Sequence, residues 1–379
     1  MKFLRLLIKN MLRNKRRTFL TVSSIAVSLF LVATLLTVLV QLVDPPETPD
    51  SALRLIVRHR VSLFNTLPIA YREKIAQIEG VEAVVGSMWF GGYWKDPSQF
   101  FANFSVNPDG FFKVYPDLQL PEEQKEAFKN DRTGALVGAN LAKQMGWELG
   151  DRITLISPLF NQIQPELTIR AIYQGGNDDD MTFYYHWDYF NEGLGRANFT
   201  GTYNVRAASK EDVPRVAEAI DAAFRNANPP TKTETERAFI LGFIQMLGNI
   251  QYLISSICGV VVFTVILVAA TTMAMAIRER GREIAVLKAL GFRTRLILSL
   301  LLSESVLLAA LAAFIGSMAA WAFFGATGVG AGFIPRLAVR PWIIGFCVFI
   351  GAMVGLLASG IPAWRAARIS VVDAMRRIV

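Results

Sequence analysis

The chain holds 379 residues, 53% of them hydrophobic and only 18% charged, with a mean hydropathy of +0.36 and a formal net charge of +8. So apolar a balance excludes an ordinary soluble globular protein. Two cysteines exclude a disulfide-stapled scaffold, and no fold motif supports reading the positive charge as a nucleic-acid surface.

The first predicted element is a basic amphipathic helix over residues 1–18. Leu4, Leu7, Ile8, Met11 and Leu12 share one face, with Lys2, Arg5, Lys9, Arg13, Lys15, Arg16 and Arg17 around them and no acid. That pattern suits a helix lying in the headgroup layer, a frayed basic tail being the alternative. An uncharged run from Phe19 to Val43 follows, 25 residues long. Roughly 20 apolar residues suffice to cross a bilayer core, so residues 19–43 are read as transmembrane helix 1. The run is too long for the apolar part of a signal peptide, and no small-residue cleavage site precedes "DPPETPD"; an uncleaved anchor is expected.

Residues 44–245 read as a domain of mixed α and β texture ending in a helical stalk. "SALRLIVRHRV" predicts a strand, and "IAYREKIAQIEGVEAVVGS" a helix followed by a strand. Residues 108–131 are polar and contain proline, and read as an insertion or subdomain boundary. "GANLAKQMGWELGDRITLIS" predicts a helix, a turn and a strand, and "LTIRAIYQGG" another strand. "SKEDVPRVAEAIDAAFRNA" predicts a helix capped near Ser209 or Asp212. From Thr231 a helix is expected to run on into the second span. The domain offers little chemistry. His59 and His186 stand far apart, and no nucleophile is placed beside a base. No metal site is expected: Asp178, Asp179 and Asp180 read as a solvated acidic loop rather than a cation site. Phe183, Tyr184, Tyr185, Trp187, Tyr189 and Phe190 read as core packing rather than a ligand patch.

Three further apolar runs, Ile254–Ile277, Leu296–Phe324 and Trp342–Ile361, hold 24, 29 and 20 residues. They predict transmembrane helix 2 (246–277), helix 3 (296–324) and helix 4 (342–361), with a short outer loop at 325–341. Cys258 and Cys347 lie inside these spans as small apolar residues. Positive charge concentrates before helix 1, between helices 2 and 3, and in the tail 362–379, which places both termini in the cytoplasm. Residues 44–245 carry 20 Lys and Arg against 27 Asp and Glu, a net −7, and are placed outside. The expected fold is an α-helical membrane protein with four transmembrane helices and a mixed α+β extracytoplasmic domain inserted between helices 1 and 2.

Within the third run Ala312, Gly316 and Ala320 recur every fourth residue, and within the fourth Gly351, Gly355 and Ser359 do the same. Such small residues let helix backbones approach closely, either within one chain or between two. Glu304 is an intramembrane carboxylate, read as a structural polar contact rather than a proton carrier.

The stretch "RERGREIAVLKALGFRTR", residues 278–295, separates the second and third spans. It predicts a helix over 279–290 with Ile284, Leu287 and Leu290 as a narrow apolar stripe and Arg280, Arg282 and Lys288 as its charges. Gly291 ends it in the left-handed conformation. Tied at both ends to membrane helices, it suits docking to a cytoplasmic protein rather than lying on the bilayer.

These residues carry a resemblance. Arg280, Arg282, Glu283, Ile284, Leu287, Lys288, Ala289, Leu290 and Gly291 match the cytoplasmic loop of the FtsX-like permease family of ABC transporters, of the MacB and lipoprotein-releasing Lol type. "GIPAWRAARISVVDAMR" resembles that family's C-terminal segment through Pro362, Ala363, Arg365, Ala366, Ala367, Arg368, Val372, Ala374 and Arg376. Val371 stands where proline is common and Asp373 where glutamate is. "LVGANLAKQMGWELGDRITL" resembles the periplasmic domain of the MacB type through Gly138, Leu141, Ala142, Gly146, Gly150 and Asp151.

The resemblance implies a permease domain over about 254–375 in a multi-pass protein of the bacterial inner membrane. It implies a coupling helix formed by Glu279, Arg280, Arg282, Glu283, Ile284, Leu287, Lys288, Leu290 and Gly291, and a C-terminal cytoplasmic contact through Arg365, Arg368, Asp373 and Arg376. No G-x-x-x-x-G-K-[ST] phosphate loop occurs, so no catalytic residue is expected, and ATP and Mg2+ are assigned to a separate ATPase present in two copies. A second permease chain, membrane lipids and a periplasmic adaptor or effector complete the expected partners. Export or extraction of hydrophobic or lipid-linked cargo is the expected role. The alternative is a signalling module that activates a periplasmic partner, such as a cell-wall hydrolase, without transport. A proton-driven secondary transporter would need an inverted repeat and a chain of intramembrane acids, and neither is seen.

Overall fold

The computed structural model describes residues 15–44, 48–99, 101–175, 180–246, 248–279, 281–327 and 337–368. Among the residues singled out above, Asp178, Asp179, Arg280, Val371, Val372, Asp373, Ala374, Arg376 and most of the basic segment 1–18 lie outside that range. The described residues form two compact units, one of long helices and one built on a sheet.

In chain order, the first long helix is α1 (Lys15–Val43). The sheet unit then runs through β1 (Arg54–His59), β2 (Leu67–Pro68), α2 (Tyr71–Ala76), β3 (Val81–Trp89), β4 (Ala102–Val106), α3 (Phe111–Val114) and α4 (Glu122–Asn130). It continues with β5 (Gly134–Gly138), α5 (Ala139–Met145), β6 (Arg152–Thr154), β7 (Glu166–Tyr173), β8 (Thr182–His186) and α6 (Trp187–Gly193). It closes with β9 (Phe199–Thr200), β10 (Thr202–Ala207), α7 (Asp212–Ala223), β11 (Thr231–Thr235) and α8 (Glu236–Met246). The helical unit resumes with α9 (Ile250–Glu279), α10 (Gly281–Ala289), α11 (Thr294–Thr327) and α12 (Pro341–Arg368). Helices α1, α9, α11 and α12 are each long and apolar enough to cross a membrane.

The four spans pack through small residues. α1 packs on α9 and α11, and α12 packs on the same two. A methyl group added at Gly316 would fall on the Ala26 carbonyl of α1. One added at Gly355 would lie 2.7 Å from the Ser305 carbonyl and 3.0 Å from Ala309 Cβ of α11. Ala312, Ala320, Gly351 and Ser359 are buried with them. Lipid supplies no hydrophobic drive between helices, so this close approach is what van der Waals attraction requires. The stripes therefore serve packing within the chain. Hydroxyls inside the spans bond back along their own helices, Thr37 to Ala33 (2.7 Å), Ser317 to Ala313 (2.9 Å) and Ser359 to Gly355 (2.6 Å).

The nine-stranded sheet has the order β11-β1-β10-β3-β4-β8-β5-β7-β6. The first five strands are antiparallel neighbours, β4 and β8 are parallel, and so are β5 and β7. On one half of the sheet, Leu55, Val57, Val84, Tyr203 and Val205 pack against Tyr71 and Ile75 of α2 and Val213, Val216 and Ile220 of α7. On the other half both faces are covered. Ala135, Val137, Phe183 and Tyr185 bury one side with Trp147, Trp187 and Phe190, whereas Leu136, Ala171 and Tyr173 bury the opposite side. A shift of register between Ala135 and Leu136 lets β7 serve both cores: Leu167 and Ile169 enter the first, Ala171 and Tyr173 the second.

Four expectations are corrected. Residues 108–131 are not a boundary, because Phe111, Val114, Leu118 and Phe128 are buried in the second core. Thr231–Thr235 is an edge strand paired with β1, its hydroxyls held by Asp221 (Thr233 Oγ1 at 2.8 Å), and helix begins only at Glu236. The helix also does not run on into the second span: α8 ends at Met246, Gly248 takes φ 105°, and α9 starts at Ile250. The other strands and helices predicted within residues 44–245 are present. The expected cap is not at Ser209 or Asp212: Glu211 holds the N-cap position without a side-chain bond, and Ser209 Oγ accepts from the Asp212 N–H at 3.3 Å in the turn just before α7.

Replacing Gly316 with valine should separate α1 from α11. A lower yield of monodisperse detergent-purified protein and a thermal midpoint reduced by several degrees are expected. Gly345→Val, at a position with no neighbour within 4 Å, should leave both unchanged.

Candidate functional site

The link between the second and third spans is built from a short helix and a sharp stop. Glu279 belongs to the preceding span, so the helix is shorter than the predicted 279–290 and covers Gly281–Ala289. Its end is a Schellman motif. The Phe292 N–H donates to the Leu287 carbonyl (3.1 Å) and the Gly291 N–H to the Lys288 carbonyl (3.0 Å), with Gly291 at φ 86°. A side chain at Gly291 would oppose that left-handed turn.

The predicted apolar stripe does not stay together. Ile284 is buried against Ile277 of α9, Ile297 of α11 and Ala363 and Ala366 of α12, and Leu287 packs on the same cluster. Leu290 instead is 71% exposed. The reason is geometric. Residues three apart fall about 60° short of a full turn, so two such steps carry Leu290 well round the helix from Ile284. The inward face thus grips the ends of three spans. The outward face is Val286, 58% exposed, with Leu290 four residues on and Phe292 just beyond. Arg278, Glu279, Arg293 and Arg295, which flank the helix in sequence, are exposed, Glu283 and Lys288 are half-buried, and Arg282 lies on the helix. Val286 and Phe292 were not singled out from the sequence. The i, i+4 spacing of Val286 and Leu290 was the available signal.

Glu304, half-buried on α11, lines a pocket where Thr18 and Thr21 of α1, Thr272 of α9 and Ser305 stand beside the apolar Met273, Ile277, Leu301 and Leu308. This is the setting in which an intramembrane carboxylate is tolerated. Arg365 and Arg368 are exposed at the end of α12, and the Arg368 guanidinium lies 4.3 Å from the Trp364 ring centre.

In the sheet unit a buried ion cluster had no sequence signal. Arg54, at the start of β1, is 1% exposed. Its Nε donates to Glu236 Oε2 (2.7 Å), its Nη1 to Asp117 Oδ1 (2.8 Å), and its guanidinium sits 4.8 Å from the Tyr115 ring. Burial works against the cation, but Glu236, Tyr115 and Asp117 more than offset it and raise its pKa. Arg237 pairs with Asp44 (2.7 Å), and Arg206 of β10 bridges Asp50 and Glu82 of β3 (both 2.9 Å). The residues that leave α1 and those that lead to α9 are therefore tied to one another. His186, by contrast, is a core residue whose Nε2 meets the Phe128 carbonyl at 2.5 Å, and the Leu141 N–H donates to the Asp180 carbonyl at 3.0 Å.

Comparison with known proteins gives two family matches. The FtsX-like permease C-terminal family matches residues 255–371, and the MacB-like periplasmic core domain matches residues 18–223. An uncharacterized ABC transporter permease of Methanocaldococcus jannaschii is 24% identical over 325 residues, covering 80% of this chain and 77% of that one. The macrolide export ATP-binding/permease protein MacB of Nitrobacter winogradskyi is 36% identical over 111 residues, which are 28% of this chain and 16% of that protein. Among solved structures, the periplasmic region of MacB from Actinobacillus actinomycetemcomitans aligns over 51% of this chain and 92% of that one, at 10% identity and a TM-score of 0.38.

The two faces of α10 should respond differently to charge. Ile284→Asp removes a buried apolar contact worth ~2–5 kcal/mol and buries a carboxylate, so the melting midpoint in detergent should fall by several degrees. Val286→Asp should stay within ~0.5 kcal/mol of wild type, as exposed substitutions do.

Proposed function

We propose that this chain, which belongs to the ABC transporter permeases of the MacB/FtsX type, couples ATP hydrolysis by a separate ATPase subunit to movement of its outer domain. The observation that carries this is α10, whose inward face is anchored by Ile284 and Leu287 to the ends of α9, α11 and α12 while Val286, Leu290 and Phe292 stay exposed. A partner seated on the outward face pushes on three spans through one short rigid element. Of these Phe292 is an aromatic residue of the kind enriched at docking surfaces, and a charge-free apolar centre with a polar rim is the usual anatomy of such a surface.

In this reading Arg278, Glu279, Arg293 and Arg295 orient the ATPase, and ATP and Mg2+ are held there, the present sequence having no phosphate loop. Two permease chains and two ATPase copies form the working unit. The concentration of positive charge at the ends of the spans that carry α10 supports a cytoplasmic position for that face and an outer one for the sheet domain. Movement of that domain exports or extracts a hydrophobic or lipid-linked cargo.

The test is co-purification of the ATPase encoded with this chain. Val286→Asp combined with Phe292→Asp should reduce recovery tenfold or more, since ~1.4 kcal/mol is a factor of ten, while Phe64→Asp in the outer domain should not. Full retention by the double variant would overturn the reading. Sidedness is tested by cysteines introduced at Lys95 and Arg293. Only the first should react with an impermeant maleimide applied to whole spheroplasts.

A further inference from the structure

The C-terminal end of α12 is a motif that the coupling reading does not use. Along one face, Met353, Leu357, Ile361, Trp364, Arg365 and Arg368 are all exposed. Their spacing of three and four keeps them on a single stripe. The opposite side of the same turns is fully committed: Ala363, Ala366 and Ala367 are buried, the first two against Ile277, Ile284 and Ile297. The outward stripe changes in a fixed order from aliphatic to indole to guanidinium. That is the order of environments crossed on leaving a bilayer: hydrocarbon, interface, phosphate layer.

We infer that Trp364, Arg365 and Arg368 form a headgroup site for an anionic glycerophospholipid, with Leu357 and Ile361 lying along its acyl chain. The ligand chemistry follows from the side chains. Two guanidinium groups one turn apart offer forked donors that match phosphate oxygens. The Arg368 guanidinium is held over the Trp364 ring at 4.3 Å, which fixes its position. A zwitterionic headgroup would bring its own ammonium to the two cations, whereas an anionic one brings only the phosphate charge. The inference uses the membrane-spanning nature of the chain and is independent of which side α12 ends on.

The test uses full-length protein in nanodiscs in which a minority lipid carries brominated acyl chains, either phosphatidylglycerol or phosphatidylcholine. Trp364 emission is isolated as the difference between wild type and Trp364→Phe. Brominated phosphatidylglycerol should quench it several-fold more strongly than the phosphatidylcholine at low salt, and the gap should narrow in 0.5 M salt. A surface arginine is worth about a fivefold preference for anionic lipid, so Arg365→Gln and Arg368→Gln should each remove most of the difference. Equal quenching by the two lipids would overturn the site. So would a preference untouched by both substitutions. Loss of ATPase recovery in the arginine variants with lipid preference intact would assign the stripe to protein docking. A disulfide between two copies of Ile361→Cys would assign it to a second chain. Anionic phospholipid that co-purifies with the wild type, measured by mass spectrometry, should fall in the Arg365→Gln, Arg368→Gln double variant.

Discussion

Everything in the helical unit depends on backbones approaching to the distance that only glycine, alanine and serine permit. In water, packing of large apolar side chains would hold such helices together. In lipid that drive is absent, because tails and leucines are equally apolar. Contact must come from shape, and the carbonyls of Ala26 and Ser305 resting against Gly316 and Gly355 supply it. Rigid contact is also what a force-transmitting element needs. A push on one end of a closely packed bundle moves helices as bodies, whereas loosely packed helices would absorb it in side-chain rearrangement.

The sheet unit meets a related demand with charge. Arg54 is buried with Glu236 and Asp117, one on the segment leading to α9 and one on the loop after α3. Buried ion pairs are weak net contributors to stability, because desolvation consumes most of the attraction. Breaking one is costly, however, since the remaining charge is stranded. The cluster therefore acts less as glue than as a lock on geometry: β1 and the start of α8 hold their registry or lose several kcal/mol. The pairing of β1 with β11 across Leu55 and Thr235 reinforces the same junction.

Much of this was legible because it rests on gross apolarity. Four long uncharged runs need no periodicity to be read, and the MacB-like outer segment announced its helices and strands by alternation. The failures have physical causes. "TKTET" shows no apolar alternation because an edge strand satisfied by Asp221 needs none. Phe111, Val114 and Leu118 hid among prolines and acids, although each is core. The bulged register of β7 moves alternate residues onto opposite faces, which a strict period of two cannot express. Arg54 reads in sequence like any solvated strand residue, and burial is decided by partners more than sixty positions away. On α10 the residue types were right and the facing was not. A three-residue spacing suggests one stripe, but its drift turns Leu290 to the surface while Ile284 and Leu287 turn inward.

The length of α10 has a thermodynamic consequence. An isolated helix of 9 residues cannot recover the cost of its own nucleation in water; about 12 to 15 residues are needed even for favourable sequences. Its order is therefore borrowed from Ile277, Ile297, Ala363 and Ala366 beneath it. Any rearrangement of the spans that withdraws those contacts melts the helix as well as moving it. A protein seated on Val286 and Phe292 then senses the state of the bundle through the entropy of the element it holds, and by reciprocity its grip stabilises the arrangement of spans that keeps the helix folded.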